Sequence, residues 1–261
     1  MSGSPHRDFP RAQPRFSPGY YFLLLCFGAG AVAFNIYAAI RVSFPHTERT
    51  RERTRAVVRS LFRMYLRMLR IPGNFQCTVD ADTPPLENLR GTLVVANHPG
   101  MLDAPILFAR IPRAICFFKA SMHRAVVSGA GARLSGYIPN NSGVDGIRNA
   151  VDHLASGGNV IVFPEGTRSP AQALGPFHSG YGLIAKQARC PVLCLLIETN
   201  SNVLGKGQPL WGRPLLPAHF RIRRILQTRP ESGESVSAFS NRIDECYRRE
   251  WRPPPFPEDP A

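Results

Sequence analysis

The hydrophobic pattern begins with a long apolar run near the N-terminus. Residues 20–40 form 21 consecutive uncharged positions, YYFLLLCFGAGAVAFNIYAAI. As a helix rising about 1.5 Å per residue, such a run crosses the roughly 30 Å hydrocarbon layer of a bilayer. The run therefore predicts a transmembrane or membrane-dipping helix over residues 19–41. A buried core helix and a cleaved signal peptide, suggested by Ala31 and Ala33, are the alternatives.

The segment that follows has the pattern of a basic amphipathic helix. An arginine recurs at every fourth residue from Arg51 to Arg67, and apolar residues such as Leu61 and Leu66 lie between them. This periodicity predicts an interfacial helix within residues 42–71. Its arginines are expected to lie on anionic lipid, where each is worth about 1 kcal/mol. The alternative is an ordinary helix that packs on the domain with a solvated basic face.

Beyond residue 71, short β-branched runs alternate with helical stretches. This alternation predicts an α/β fold with a mostly parallel central sheet flanked by helices, preceded by the membrane-associated helical region. Strands are predicted at residues 75–79, 92–96, 114–118, 159–163 and 192–198, with an edge strand at 220–225. Helices are predicted at residues 102–109, 123–134, 144–155, 180–188 and 236–251.

These patterns divide the chain into five parts. Between a disordered N-terminus at residues 1–18 and a proline-rich tail at residues 252–261 lie the first helix, the basic helix and an α/β domain. The three central parts are expected at residues 19–41, 42–71 and 72–251.

The net charge of +14 becomes informative when it is divided along the chain. Twelve arginines and three acidic residues lie in residues 1–70, which therefore carry +9. Because arginines cluster after the apolar run, the positive-inside rule places the C-terminal bulk on the cytoplasmic face of a membrane. The charge is not accompanied by a nucleic-acid-binding motif, so no nucleic-acid partner is expected. Six scattered cysteines without a C-x-x-C pair exclude a disulfide scaffold and favour a reducing compartment.

The first candidate for chemistry is the sequence N-H-P-G-M-L-D at residues 97–103, which directly follows a predicted strand. A Pro-Gly turn there can bring Asp103 to the imidazole of His98. A carboxylate on one ring nitrogen fixes the tautomer and leaves the other nitrogen free to accept a proton from a substrate hydroxyl. The alternative is a histidine that merely ties down a turn.

The second candidate is F-P-E-G-T-R-S at residues 163–169, again directly after a predicted strand. Gly166 allows the backbone to approach a ligand closely, and Arg168 offers a planar set of donors for a phosphate or carboxylate. Glu165 can orient that arginine or a substrate hydroxyl. The loop is therefore typical of an anion site, although a Glu-Arg surface turn is an alternative interpretation.

Together the two loops resemble the lysophospholipid acyltransferase family, of the glycerol-3-phosphate and 1-acylglycerol-3-phosphate acyltransferase type. That family pairs N-H-x-x-x-x-D with a downstream F-P-E-G-T-R-S, and the resemblance covers roughly residues 50–215. It implies that His98 is the general base and Asp103 its orienting partner. It also implies that the acceptor's polar head is surrounded by Glu165, Gly166, Thr167 and Arg168.

The activity that this resemblance implies is an O-acyltransferase of phospholipid biosynthesis at a membrane. The donor would be acyl-CoA or acyl-ACP, used as a co-substrate, with no cofactor and no metal. Membrane phospholipids would be its partners, and 1-acylglycerol-3-phosphate is the default acceptor. The reaction would move a fatty acyl group from the thioester to a hydroxyl of this lysophospholipid-like acceptor.

One departure from the family concerns the acceptor. The family's intermediate block often reads G-x-[IF]-F-I-D-R, whereas residues 136–141 read G-Y-I-P-N-N and lack the arginine. Lys119, after a predicted strand, is a candidate for the missing cation, or else a solvated lysine. The departure predicts that lysophosphatidate is a poor acceptor and that another hydroxylated amphiphile is a good one.

Two other classes of function remain as alternatives. A serine hydrolase is disfavoured because the chain has no G-x-S-x-G elbow. A metal-dependent hydrolase would have to use His98, His123, His153 and His178, among which there is no close pair. A lipid-surface adaptor that keeps the fold without turnover is the third hypothesis.

Overall fold

The computed structural model describes residues 9–10, 12–45, 47–70, 74–121, 126–170, 173–209 and 211–254. Its α-helices in these ranges are α1 (Pro18–Val42), α2 (Glu48–Leu69), α3 (Asp103–Arg110), α4 (Val126–Ser135), α5 (Gly143–Ala155), α6 (Gly180–Ala188) and α7 (Val236–Glu250). A short 3₁₀ helix covers Leu86–Asn88. The strands are β1 (Gln13–Pro14), β2 (Phe75–Val79), β3 (Leu93–Ala96), β4 (Ala114–Phe118), β5 (Ile138–Pro139), β6 (Asn159–Val162), β7 (Val192–Thr199), β8 (Leu215–Leu216) and β9 (Ala218–Thr228).

Seven of these strands form the central sheet, in the order β2-β9-β7-β3-β6-β4-β5. The run from β7 to β5 is parallel, whereas β9 is antiparallel to β7 and parallel to β2. The predicted α/β fold with a mostly parallel sheet is therefore confirmed. Parallel neighbours place the carboxyl ends of β3, β6 and β4 at one edge of the sheet, where the loops lead into helices.

Helices cover both faces of the sheet, and for this reason the central strand β3 is apolar at every position. Successive side chains of β3 point to opposite faces: Val94 and Ala96 join one core, Leu93 and Val95 the other. The first core includes residues from α1, α2 and α3, and the second includes residues from α5, α6 and α7. The site described below lies at the end of this doubly covered strand.

Some arginines of α2 brace the fold, although Arg51, Arg63 and Arg67 are exposed as the sequence predicted. Arg55 is only 5% exposed; its Nη1 donates to the Ser135 carbonyl at 3.0 Å, and its Nη2 contacts Glu48. Arg59 and Arg63 donate to carbonyl groups at the end of α3, which lack partners within their own helix. The exposed surface of α2 also carries an apolar stripe. It consists of Val57, Leu61, Met64 and Met68.

Two further expectations about the strands are wrong. The strand predicted at 220–225 as an edge strand is the 11-residue β9, which lies inside the sheet between β2 and β7. Its charges are accommodated because Arg221 pairs with Asp80 at 2.7 Å and Arg223 with Glu250 at 2.9 Å. Part of the segment predicted to be disordered is also structured, since β1 pairs with β8. The remaining domain boundaries stay predictions.

The buried position of Arg55 predicts a loss of stability on substitution. Arg55→Ala leaves the Ser135 carbonyl without this donor, so we expect the free energy of unfolding to fall by about 1.5–3 kcal/mol. Denaturant unfolding of the protein in detergent measures this change. The matched control is Arg53→Ala on the same helix, where the arginine is exposed and stability should not change. Equal effects of the two substitutions would contradict the bracing role of Arg55.

Candidate active site

The two loops identified in the sequence leave neighbouring strands of the sheet. His98 follows β3 and Glu165 follows β6, and these strands pair in parallel. Backbone hydrogen bonds then join the loops directly, because the Ser169 N–H donates to the His98 carbonyl at 2.7 Å. The structure thus brings together two segments that are 65 residues apart.

The centre of the site is the pair His98 and Asp103. The ring Nδ1 of His98 lies 2.9 Å from Oδ2 of Asp103, and this oxygen also accepts a 2.7 Å hydrogen bond from the Gly100 N–H. Asp103 is fully buried at the first turn of α3, whereas the His98 side chain is 19% exposed. Burial raises the pKa of the Asp103 carboxyl, against the lowering effect of the hydrogen bonds from His98 and Gly100. With Nδ1 engaged, Nε2 is the nitrogen left for proton transfer.

Two more side chains hold His98 in place. The ring of Phe163 stacks on the imidazole, with 4.2 Å between centroids and 22° between planes. Asn97 is buried, and its side chain makes a two-way pair with the backbone of Ile197, donating at 2.9 Å and accepting at 2.7 Å. This pair extends the β3–β7 ladder by one residue, so the backbone that carries His98 is fixed to the sheet. Sequence reasoning assigned no role to Asn97 or Phe163.

Glu165 connects the second loop to the first. Its Oε1 accepts hydrogen bonds from the Ser169 hydroxyl at 2.6 Å and from the His98 N–H at 3.2 Å, and its Oε2 accepts from the Gly175 N–H at 2.7 Å. The residue is 3% exposed. Both carboxylate oxygens are therefore used within the protein. In this geometry Glu165 positions the His98 loop rather than facing an acceptor, which differs from the role implied by the resemblance.

Gly175 is required by the close approach of Glu165. A Cβ at position 175 would lie 2.7 Å from Oε2 of Glu165, closer than nonbonded atoms tolerate. Gly166 is special for a different reason: its φ of +64° lies in the left-handed region, and its N–H closes a turn on the Phe163 carbonyl at 3.0 Å. Gly175 was missed in the sequence because nothing near it indicates an approaching carboxylate.

The other members of the predicted site surround this core. Gly166 and Thr167 are exposed, and Arg168 is half-buried. The Nη1 of Arg168 donates to the carbonyls of Leu204 and Gly205 at 3.0 and 2.7 Å, so the guanidinium also anchors the loop that follows β7. That contact could not be foreseen, because it joins residues more than 35 positions apart.

Lys119 lies at the same edge of the sheet, directly after β4, and is exposed. Asn140 fixes the backbone on both sides of Lys119. Its N–H donates to the Phe118 carbonyl at 2.9 Å, and its Oδ1 accepts from the Ala120 N–H at 3.0 Å. Asn140 belongs to the block that lacks the family's arginine. Within the described ranges no contact joins Lys119 to His98 or Arg168. The structure therefore brings this lysine near residues 136–141 but not into contact with the His98–Asp103 pair.

The histidines of the metal hypothesis do not converge in the part of the chain that the structure describes. His153 is buried beside the Arg113 carbonyl, to which its Nε2 lies at 2.8 Å, and burial lowers its pKa. His178 packs against Gly166. His123 lies outside the described residues. Among the described residues no group of three His, Cys, Asp or Glu side chains could hold a metal ion.

Comparisons with known proteins agree with this geometry. A family model described as Acyltransferase matches residues 80–198. A 1-acyl-sn-glycerol-3-phosphate acyltransferase, BAT2, chloroplastic, from Brassica napus is 28% identical over 135 residues, covering 48% of this chain and 39% of the relative. The chain thus spans about two fifths of the length of that relative.

A solved structure also matches the fold. The crystal structure of the 1-acyl-sn-glycerophosphate acyltransferase PlsC from Thermotoga maritima aligns with a TM-score of 0.63 at 20% identity. The alignment covers 88% of this chain and 92% of that chain. At this identity the likeness shows a shared fold, including an apolar helix ahead of the α/β domain.

The close approach at Gly175 predicts an effect on stability. Gly175→Ala would push a methyl group into the Glu165 carboxylate, so we expect the free energy of unfolding to fall by about 1–3 kcal/mol. Gly180→Ala is the matched control, because the first residue of α6 has open space around its Cα and alanine favours a helix. Denaturant unfolding should show a loss for the first variant and none for the second. A stable Gly175→Ala protein would contradict the described position of Glu165.

Proposed function

We propose that this chain, whose residues 80–198 match the acyltransferase family model, transfers a fatty acyl group from an acyl thioester to a lysophospholipid-like acceptor. The observation that carries the proposal is the 2.9 Å contact between Nδ1 of His98 and the buried Asp103 carboxyl. A histidine held in one tautomer at the mouth of an α/β site suits deprotonation of a hydroxyl.

The proposed reaction needs no covalent enzyme intermediate. Nε2 of His98 takes the proton from the acceptor hydroxyl while that oxygen attacks the thioester carbonyl. The C–S bond then breaks, and the imidazolium returns the proton to the departing thiolate. Asp103 stabilises the imidazolium between the two steps, and the stacked Phe163 ring keeps the imidazole in plane. The donor is acyl-CoA or acyl-ACP, and the residues described here do not distinguish between them.

We assign the acyl chain to an apolar cavity of about 320 Å³ between α1, α2 and α4. Its lining includes Phe118, the residue that precedes Lys119. Its lining is apolar, with residues such as Phe27, Leu61 and Tyr137. Burying an alkyl chain there is favourable by about 0.8 kcal/mol per methylene. The cavity supports a fatty acyl substrate over a short or polar one.

The acceptor's phosphate is assigned to the cations at the sheet edge. Arg168 retains guanidinium donors beyond the Nη1 that binds carbonyl groups, and exposed Lys119 stands beside the block that lacks an arginine. We therefore propose 1-acylglycerol-3-phosphate as the acceptor, with Lys119 in place of the family's arginine. This proposal replaces the expectation, drawn from the missing arginine alone, that lysophosphatidate is a poor acceptor. Glu165 acts in this scheme as a positioning residue.

The protein is proposed to work at a membrane, with its catalytic domain on the cytoplasmic face. Helix α1 is long and apolar enough to cross a bilayer, with a mean hydropathy of 2.0 over its most apolar window. However, Leu23 near its start and Ala38 near its end are both buried against the rest of the protein. The helix thus lies along the domain, which favours shallow insertion of its exposed face over a perpendicular crossing.

The role of His98 predicts the effect of its removal. His98→Ala should lower the rate of acyl transfer by about 10²–10⁴-fold, because the general base is lost. Asp103→Asn should also lower the rate, since an amide does not stabilise the imidazolium. The assay incubates membranes that contain the protein with labelled acyl thioester, with and without acceptor, followed by lipid analysis. His219→Ala, on β9 and outside the site, is the matched control.

The same assay distinguishes the competing functions. Transfer requires donor and acceptor together, a thioester hydrolase consumes donor without acceptor, and an adaptor consumes neither. If His98→Ala retained most of the transfer activity, the proposed mechanism would be wrong. A chelator should leave the rate unchanged, as expected for an enzyme that uses no metal.

The proposed contact of Lys119 predicts a selective change in acceptor affinity. Lys119→Ala should raise KM for lysophosphatidate about tenfold, the effect of about 1.4 kcal/mol from one charged contact, and should leave KM for a monoacylglycerol unchanged. Lys186→Ala, an exposed lysine on α6, is the control. An equal change with both acceptors would contradict the assignment. If lysophosphatidate were acylated poorly by the native protein, the missing arginine would set the specificity instead.

A further inference from the structure

Two distant segments meet at the N-terminal end of α1. Strand β1 pairs with β8, and the Arg15 N–H donates to the Pro214 carbonyl at 3.1 Å. Beside this pair, the hydroxyl of Tyr21 donates to the Gly212 carbonyl at 2.8 Å. The segment of residues 12–22 and the loop between β7 and β8, described at residues 200–209 and 211–214, therefore form one structural unit, which we name the aromatic corner.

The aromatic corner exposes large apolar rings. Trp211 is 71% exposed, Phe16 is 67% exposed and Phe22 is 62% exposed. These rings are held rather than loose, because Tyr21 stacks on Trp211 with 6.3 Å between centroids and lies 5.3 Å from Phe16. Large aromatic side chains gain much from leaving water, so their ordered exposure in one patch indicates a binding surface.

The charged residues in the two segments that carry these rings are all basic. Arg15, Lys206 and Arg213 are exposed, and neither residues 9–22 nor residues 201–216 contain an aspartate or glutamate. Tryptophan and tyrosine prefer the boundary between hydrocarbon and water, and basic residues there are attracted to anionic headgroups. An aromatic patch with a purely basic rim fits a bilayer surface that contains anionic lipid.

The patch is continuous with the apolar surface of α1. From Phe22 onward the exposed face of that helix carries a stripe at helical spacing, with Leu25, Val32, Ile36 and Ile40. The opposite end of the same loop reaches the active site, where the Met101 N–H donates to the Leu204 carbonyl at 3.1 Å. One loop thus connects the apolar surface with the turn that carries His98.

We propose that the aromatic corner is a second membrane contact, in which Trp211 enters the headgroup region of an anionic bilayer. This contact, together with the stripe on α1, sets the height of the His98 turn above the lipid surface. The inference rests on the proposed membrane function, but it concerns the loop between β7 and β8. Insertion of α1 alone would not require this loop to touch lipid.

Tryptophan fluorescence tests the contact directly, because the chain contains two tryptophans, Trp211 and Trp251. Trp251→Phe leaves Trp211 as the single reporter in the full chain reconstituted into vesicles of phosphatidylglycerol and phosphatidylcholine. We expect nitroxide lipids labelled near the headgroup to quench Trp211 more strongly than lipids labelled deep in the chain, and aqueous iodide to quench it weakly. Strong iodide quenching with no lipid quenching, or strongest quenching by the deep label, would overturn the proposal.

A second variant separates this contact from the proposed chemistry. Trp211→Ser should weaken turnover of vesicle-embedded acceptor about tenfold or more through lost burial of one aromatic ring, with no change for a short-chain acceptor dissolved as monomers. Val144→Ser is the matched control, since Val144 is 75% exposed on α5, on the other face of the sheet. If both variants lost vesicle activity equally, the contact would be refuted. If the native protein transferred no acyl group while Trp211 was still quenched by lipid, the proposed function would fail and the contact would stand.

Discussion

The site depends on the burial of one carboxyl group. Asp103 has no exposed surface, and removal of a carboxylate from water is costly unless hydrogen bonds compensate it. The compensation comes from the His98 ring and the Gly100 N–H, both at Oδ2. Because burial raises the pKa of this carboxyl, its charge is stable only while these donors stay in place. The need to satisfy Asp103 therefore fixes the ring of His98 and the turn before α3 at once.

The sheet supplies the rigidity that this pair requires. Asn97 extends the β3–β7 ladder, and Glu165 accepts from the His98 backbone while Ser169 donates to it. A displacement of about 1 Å in a catalytic group can lower the rate 10²-fold. Hydrogen bonds that fix only the backbone around His98 therefore still affect the proposed reaction. The two sequence blocks form one structural unit, because the first carries the proposed base and the second holds it at the edge of the sheet.

The sequence predicted much of this arrangement and missed identifiable parts. Periodicity located most strands and helices within a residue or two, because buried parallel strands and amphipathic helices differ clearly in period. The short strands β1, β5 and β8 were not predicted, and β9 extends three residues beyond its predicted end. The spacing of His98 and Asp103 indicated their contact, which is local. Long-range partners were not predictable: Gly175 beneath Glu165, and the carbonyl groups that bind Arg168. The arginine row of α2 was partly misjudged for the same reason, since periodicity defines a face of a helix but not the neighbour that it meets.

The corrected orientation of α2 changes how the protein is expected to meet lipid. Arginines that bind the carbonyl groups of Ala109, Arg110 and Ser135 serve as braces between helices, so they contribute little to attraction of anionic headgroups. The proposed attachment then relies on apolar surface, which α1 and α2 both expose as stripes at helical spacing, together with the exposed arginines of α2. Helix α1 is packed on the domain near both of its ends, so these stripes hold a fixed position relative to the His98 turn in this structure. With the proposed membrane attachment, the depth of the helices in the bilayer would therefore determine the height of His98 above it.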